Sequence, residues 1–391
     1  MKNTFKWPKE IYVYWLVEFI HGIELIGAVL LIFFKDWGGL NQAHTQMLQS
    51  WFTLWIFILE IPTGVYGDVY GKKKSVITGL IFHTLGIVVY TIAPNIWLFL
   101  LGEFIFALGV AFISGAQEAW IYDTTKKLGI EKRYRDVSIT GSNLHMIGMI
   151  VASLIYIPLS RYFSVDNLFR LGIVPNVLSI ILFTLFIKGT DSQNGLKPDY
   201  IGIVKKGMAA ITKNANLKRL TVFVSVVATA SYFVIWLYQE SLRVSNTPEP
   251  EWGVYRTVLL ISQIILVRIL GKVFKKSKRF AYFVITLLVS AGFLIGGISQ
   301  SNIGLIVLLV LSGGIGLQVN TILSKEINEE IDSEQRATVL SFIGMLKRLM
   351  LTVFNPVIGY LVDLKGVYVA FIILGLFTLL ALWFKPKIKL K

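Results

Sequence analysis

Cysteine is absent from all 391 residues, which excludes disulfides and Cys-based metal sites outright and leaves the redox compartment open. Histidine is scarce, with four in the chain, and no two stand at zinc-ligand spacing. No metal is expected. Charge is thin as well: Asp, Glu, Lys and Arg make up 16% of the residues, against about 25% in a soluble globular protein. That is too little polar material to cover a globule of this length. Enzyme signatures are missing too. No glycine-rich loop of the phosphate-cradling type is present, so ATP-driven work would need another subunit. "GGIGLQ", Gly313 to Gln318, lies in an apolar run with no strand before it and reads as helix packing. No catalytic residues and no cofactor are expected, and the chain is read as something other than an enzyme.

What fills the space is apolar. Hydrophobic residues are 55% of the chain and the mean hydropathy is +0.67. A helix crossing the hydrocarbon core needs about 20 mostly apolar residues. Runs of that kind number about twelve: roughly 11–34, 47–66, 76–94, 97–122, 138–160, 168–187, 219–241, 254–274, 280–299, 303–324, 337–362 and 367–384. A β-barrel would show alternating segments of about ten residues, and these runs are longer and continuous. The leading "MKNTFKWPKE" has a basic flank, but the apolar run after it is long, holds Glu18, His21 and Glu24, and lacks a small-residue cleavage site. It reads as a first span. The expectation is a polytopic, all-α membrane protein.

The net charge of +15 is not spread evenly. With an even number of spans both termini share one side. Roughly 29 of the 38 Lys and Arg fall in the loops and tails of that side, and about six on the other. The bias marks the lysine-rich side as the cytoplasm of a cell-membrane protein, with anionic lipid headgroups as partners. Nucleic acid is not expected as a partner.

The longest interruption, Lys188 to Lys218, divides the spans six and six. The expected organisation is an N-terminal bundle over 1–187, a cytoplasmic linker over 188–217 and a C-terminal bundle over 218–391. "IGIVKKGMAAI" within the linker fits a short amphipathic surface helix, or a partly ordered connection. The halves echo each other. "GKVFKKSKR", Gly271 to Arg279, matches "GDVYGKKKS", Gly67 to Ser75, in Gly, Val, an aromatic and two lysines. Gln117 and Arg135 have counterparts in Gln318 and Arg336. Together these favour a parallel six-plus-six duplication.

The stretch "EIPTGVYGDVYGKKKS", Glu60 to Ser75, is a knot of charge and glycine between two apolar runs. Its Gly64, Asp68, Gly71, Lys72 and Lys74 resemble the loop signature that joins the second and third helices of the major facilitator superfamily. "SGAQEAWIYD" in span four and "RATVLSFIGMLKRLMLTVFNPVIGYLVD" in span eleven have the look of its efflux-like branches. The resemblance covers the whole chain and implies twelve transmembrane helices in two pseudo-twofold related six-helix bundles. It implies that Lys72 pairs with the acid ending span four, Asp123, as a cytoplasmic latch. Asp68 is placed to accept from the amides that begin span eleven, where the helix dipole favours an anion. The glycines at 64, 67 and 71 would let helices approach or turn sharply. Glu103 stands where span four of the family often carries arginine, and span five lacks the Gly-Pro pattern of many exporters.

Ionisable residues inside a bilayer usually face a cavity or each other. Glu18, His21 and Glu24 recur every three residues and share a face of span one. Glu118 and His145 reach a similar depth on spans four and five. This set is the candidate for proton coupling, because imidazoles and desolvated carboxylates titrate in the neutral range. In the other half, Arg268, Lys347 and Arg348 fall within spans, each needing either an internal partner or an anionic part of a substrate. Gln117, Asn143, Tyr232, Trp236, Gln239, Gln318 and Asn320 complete a polar and aromatic lining suited to a small amphipathic solute. Asn355-Pro356 marks a bend in span eleven. The expectation is a monomeric secondary transporter working by alternating access, with export of an amphipathic solute ahead of uptake. A solute sensor that transports nothing is the third possibility.

Overall fold

A computed structural model describes residues 6–189, 200–274, 278–331 and 336–384. Among the described residues every regular element is helical. The longer ones are α1 (Lys9–His21), α2 (Gln42–Tyr70), α3 (Lys72–Tyr90), α4 (Ile96–Lys127), α5 (Tyr134–Leu159), α6 (Val165–Phe186), α7 (Ala215–Val244), α8 (Trp252–Phe274), α9 (Lys278–Ser299), α10 (Asn302–Gly316), α11 (Arg336–Lys365) and α12 (Val367–Leu379). Among the described residues nine helices are long and apolar enough to cross a membrane, and α10 is a shorter apolar one. α1 is only 13 residues long, and α3 opens on three lysines.

The apolar run from residue 11 to 34 is not one helix. α1 stops at His21, and the chain resumes as a 3-10 turn (Leu25–Ala28) and a wide π turn (Phe33–Trp37). The break lies beside a backbone crossing. A side chain on Gly22 would stand 2.1 Å from the His145 carbonyl oxygen, and one on Gly148 would stand 2.1 Å from that of Phe19. α1 and α5 thus meet backbone to backbone, as small residues allow in lipid. Other spans also break. α7 has a turn at Phe233, and α10 has a π turn over Leu309–Gly313. The linker region forms a helix, Tyr200–Lys213, and Asn214 caps α7 by accepting from the amides of Asn216 and Leu217.

The chain divides into two compact units, Met1–Gly39 with Trp51–Pro198, and Leu40–Ser50 with Asp199–Lys391. In the first, Ile11, Tyr14, Val17, Val76, Trp120 and Phe183 form a buried core. A second aromatic group packs Phe33 and Phe34 against Tyr90 and Phe99. Lipid tails are as apolar as these side chains, so their packing and satisfied polar groups, rather than escape from water, hold the helices together. Ser75 Oγ accordingly donates to the Phe112 carbonyl at 2.8 Å, tying α3 to α4.

In the second unit α7 is the most enclosed element, with every residue from Phe223 to Ser231 buried. Ser290 Oγ on α9 donates to the Gly375 carbonyl of α12 at 2.9 Å, and Ser312 Oγ to that of Val289 at 2.7 Å. The first turns of α2 belong here because they pack on α11. The Gln42 and Ala43 amides donate to the Asp363 carboxylate at 3.2 and 2.8 Å, and Ser50 Oγ to the Thr352 carbonyl at 2.7 Å. Gly359 makes room for the contact, since a Cβ there would lie 2.8 Å from that of Gln46.

Candidate functional site

Three of the chain's four histidines meet in the first unit. The His21 ring lies 5.2 Å from that of His83 and 5.4 Å from that of His145. α1 ends at the first, α3 supplies the second and α5 the third. His83 Nδ1 is 3.0 Å from Asn176 Oδ1 on α6, and its ring stands edge-on to Phe106 at 4.6 Å. His21 Nε2 and His145 Nδ1 are shielded from solvent and have no hydrogen-bond partner among the described residues. Glu24 is a charged neighbour of His83. The sequence expectation grouped Glu18, His21, Glu24, Glu118 and His145 but omitted His83 and Asn176. A depth count would have found the former: His83 lies eleven residues past Lys72, much as His145 lies ten past Arg135.

One turn back along α1, Glu18 is buried, with His145 and Glu118 as charged neighbours and a hydrogen bond to Gln117. Gln117 also donates to Tyr14 Oη at 3.4 Å. Glu118 itself is exposed, but two hydroxyls of α5 hold it. Tyr134 donates to Oε2 at 2.5 Å and Ser138 to Oε1 at 2.9 Å. The first unit therefore carries a ladder of titratable groups from Glu118 through Glu18 to the imidazoles, with the Gln117 amide at Glu18 and the Asn176 amide at His83. Asn143 is half-buried on α5. Among the described residues no group of acids and histidines has metal-holding geometry.

The expected lining of the second half is distributed over several places. Trp236 Nε1 donates to Tyr232 Oη at 3.3 Å, which in turn lies 3.4 Å from Gln49 Oε1. Gln239 is buried and donates to the Ile235 carbonyl of its own helix at 3.2 Å. Gln318 donates to Gln263 at 2.9 Å and accepts from Thr321 at 3.0 Å. Arg268 is exposed near the end of α8. Asn320 and Lys347, by contrast, line one cavity of about 280 Å³ together with Ser225, Ser324, Asn328 and Gly344, between apolar walls. Arg348 is half-buried next to it in the chain, and its carbonyl accepts from Thr352 at 3.0 Å.

In the charged loop, Gly71 adopts φ 97 and ψ 142, a conformation open to glycine alone. This is the sharp turn foreseen between α2 and α3. Gly64 differs from expectation: no atom comes within 4 Å of where its side chain would be, so in this conformation it serves no close approach. Lys72 pairs with Asp68, four residues earlier across the turn at Gly71, rather than with Asp123. The short reach between i and i+4 makes that the nearer carboxylate. Lys74 is exposed, and Lys73 donates to the Thr184 carbonyl at 2.7 Å. The side chains of 336–338, where the Asp68 contact is expected, lie outside the described residues. So do the side chains of 272–279 in the second copy of the loop, and residues 190–199, 332–335 and 385–391.

A sequence model of the Major Facilitator Superfamily matches residues 15–354. An uncharacterized MFS-type transporter of Bacillus subtilis, YxaM, is 25% identical over 244 residues, 60% of this chain and 59% of its own length. One from Methanocaldococcus jannaschii is 25% identical over 118 residues, 30% of each chain. The matched stretches thus span less than two thirds of these relatives. Among solved structures, the nucleoside transporter NupG superposes with a TM-score of 0.77 at 11% identity, covering 96% of this chain and 98% of its own. A POT family transporter in complex with 5-aminolevulinic acid gives 0.77 at 13% identity, covering 98% and 97%. At such identities the likeness establishes the fold alone.

Proposed function

Since the chain belongs to the Major Facilitator Superfamily and is a multi-pass membrane protein, we propose that it is a transporter that exports a small amphipathic solute by alternating access, coupled to protons. It does so in the cell membrane, as a monomer with both termini in the cytoplasm. The observation that carries the coupling is the histidine cluster, with Glu18 one turn away. A buried ionisable group in a membrane span is costly unless it serves. Here three imidazoles stand in contact, and two of them keep ring nitrogens shielded and unbonded among the described residues. Whether a wet or a dry setting surrounds such groups decides whether they hold a proton. A change of state that wets or dries the cluster therefore takes up or releases protons, and linkage makes proton binding bias the state in return.

Export rests on the sequence of α4 and α11, and orientation on the lysine bias between loops. The test uses inverted and right-side-out vesicles, a panel of labelled amphipathic compounds, and a proton gradient present or collapsed. The expected result is gradient-dependent accumulation in inverted vesicles, with substrate-driven proton movement lost in His21→Ala and reduced in Glu118→Gln. Undiminished proton movement in both variants overturns the coupling. Accumulation in right-side-out vesicles alone makes the protein an importer. Binding without accumulation in either kind makes it a sensor.

A further inference from the structure

The cavity in the second unit holds one charged side chain among its described lining, that of Lys347. Lys347 lies eleven residues into α11 from Arg336, about 16 Å along the axis, well inside the span. Among the described residues no carboxylate pairs with it, and its charged neighbour is another cation, Arg348. A cation so placed needs a counter-charge. The same cavity is walled by Asn320 and Asn328 and by Ser225, whose buried hydroxyl has no hydrogen-bond partner among the described residues. Asn328 Nδ2 is committed to the Ser324 carbonyl at 2.7 Å, which fixes the orientation of its amide. Val224, Ala228, Ile327 and Ile343 supply the apolar part of the lining.

We propose that this cavity is a binding site for the carboxylate end of a small organic acid. The Lys347 ammonium receives the charge, the Ser225 hydroxyl and Asn320 amide supply neutral hydrogen bonds, and the apolar wall takes a short hydrocarbon body. The 280 Å³ volume sits at the lower end of ligand pockets, which run from about 300 to 1,000 Å³. That size suits a monocarboxylate of a few carbons or a single ring. The proposal rests on the transport reading for its purpose and narrows the solute to an anionic one, but the site binds whether or not transport follows.

The discriminating measurement is equilibrium binding to the purified full-length protein in an uncharged detergent, followed by thermal shift and by calorimetry. The probes are matched pairs that differ in charge and little in shape: benzoate against benzamide, and hexanoate against hexanamide. Hydrogen bonds to a charged partner discriminate by roughly 10-fold to 100-fold, so the acids should bind the wild-type protein about that much more tightly than their amides. Lys347→Gln should erase the difference while leaving the weak amide binding in place, and Lys347→Arg should retain most of it. Equal binding of acid and amide to the wild-type protein overturns the proposal, and so does undiminished preference in Lys347→Gln. Displacement of benzoate by chloride or phosphate at matched concentration would show an unspecific anion sink, which also refutes it. Acid binding without vesicle transport would leave this site standing and remove the transport reading alone.

Discussion

Gly148→Ala is the sharpest probe of the first unit, because the structure fixes what the added methyl meets. The new Cβ would lie 2.1 Å from the Phe19 carbonyl oxygen and 3.0 Å from the Gly22 carbonyl carbon. Both are backbone atoms, so no rotamer change relieves the clash. Ordinary carbon contacts fall near 3.5–4.0 Å, so α1 and α5 must separate by about 1 Å or more, and a gap of 0.5–1 Å already forfeits a quarter to a half of each dispersion well. Overpacking of this kind costs about 1–3 kcal/mol. In a unit of this size each kcal/mol moves the melting temperature by about 2–4 °C, giving a drop of roughly 2–12 °C. Intrinsic fluorescence on heating in detergent reads it out. Gly64→Ala is the control: it adds a methyl where nothing lies within 4 Å. Alanine is better than glycine inside a helix by roughly 0.5–1 kcal/mol, so this variant should melt at or slightly above the wild-type temperature. A Gly148→Ala protein that melts within about 1 °C of wild type, or a Gly64→Ala protein that falls as far, would refute the crossing described for α1 and α5.

Two further substitutions test local structure. Gly71→Ala forces a side chain into φ 97, at a cost of about 1–3 kcal/mol, and should lower the melting temperature where Lys74→Ala does not. Asp363→Asn removes the charge facing the Gln42 and Ala43 amides. The carboxylate is solvent-exposed, so the expected loss is only about 0.3–1 kcal/mol, detectable as faster amide exchange at the start of α2 rather than as a large change in melting.

Hydropathy sees composition along the chain, so the long apolar helices were legible in the sequence, as was the turn that Gly71 makes. It does not see crossings. Residues 11–34 are as apolar as any span, yet α1 ends at His21, where Gly22 is pressed on the His145 carbonyl, and nothing in the local pattern marks that. Helical spacing grouped Glu18, His21 and Glu24; the first two lie on one continuous helix, and Glu24 falls beyond its end. His83 escaped because its partners come from three other helices, and only a comparison of depths would align them. The polar lining of the second half was named residue by residue without a way to say which residues share a space. Gln318 bonds to Gln263 and Gln239 to its own backbone, while Lys347, expected to meet either an internal partner or an anionic part of a substrate, lines the cavity.

The two halves repeat their scaffold but not their chemistry. Gln117 and Gln318 stand at equivalent places, and each amide bonds to a neighbouring span, yet the first reaches a tyrosine beside Glu18 and the second another glutamine. Imidazoles and carboxylates gather in the first unit; a lone lysine with amides and hydroxyls lines the cavity of the second. Duplication supplies two copies of a fold, and divergence is free wherever a side chain does not hold the helices in place. On the reading proposed above, the first copy has kept titratable groups for protons and the second a cation for an acid. The two roles then fail independently. A His21→Ala protein should lose proton movement and still prefer benzoate to benzamide, whereas Lys347→Gln should lose that preference with its imidazole cluster intact. Loss of both properties in either variant would mean that the two sites answer to one another, and the division of labour between the copies would be wrong.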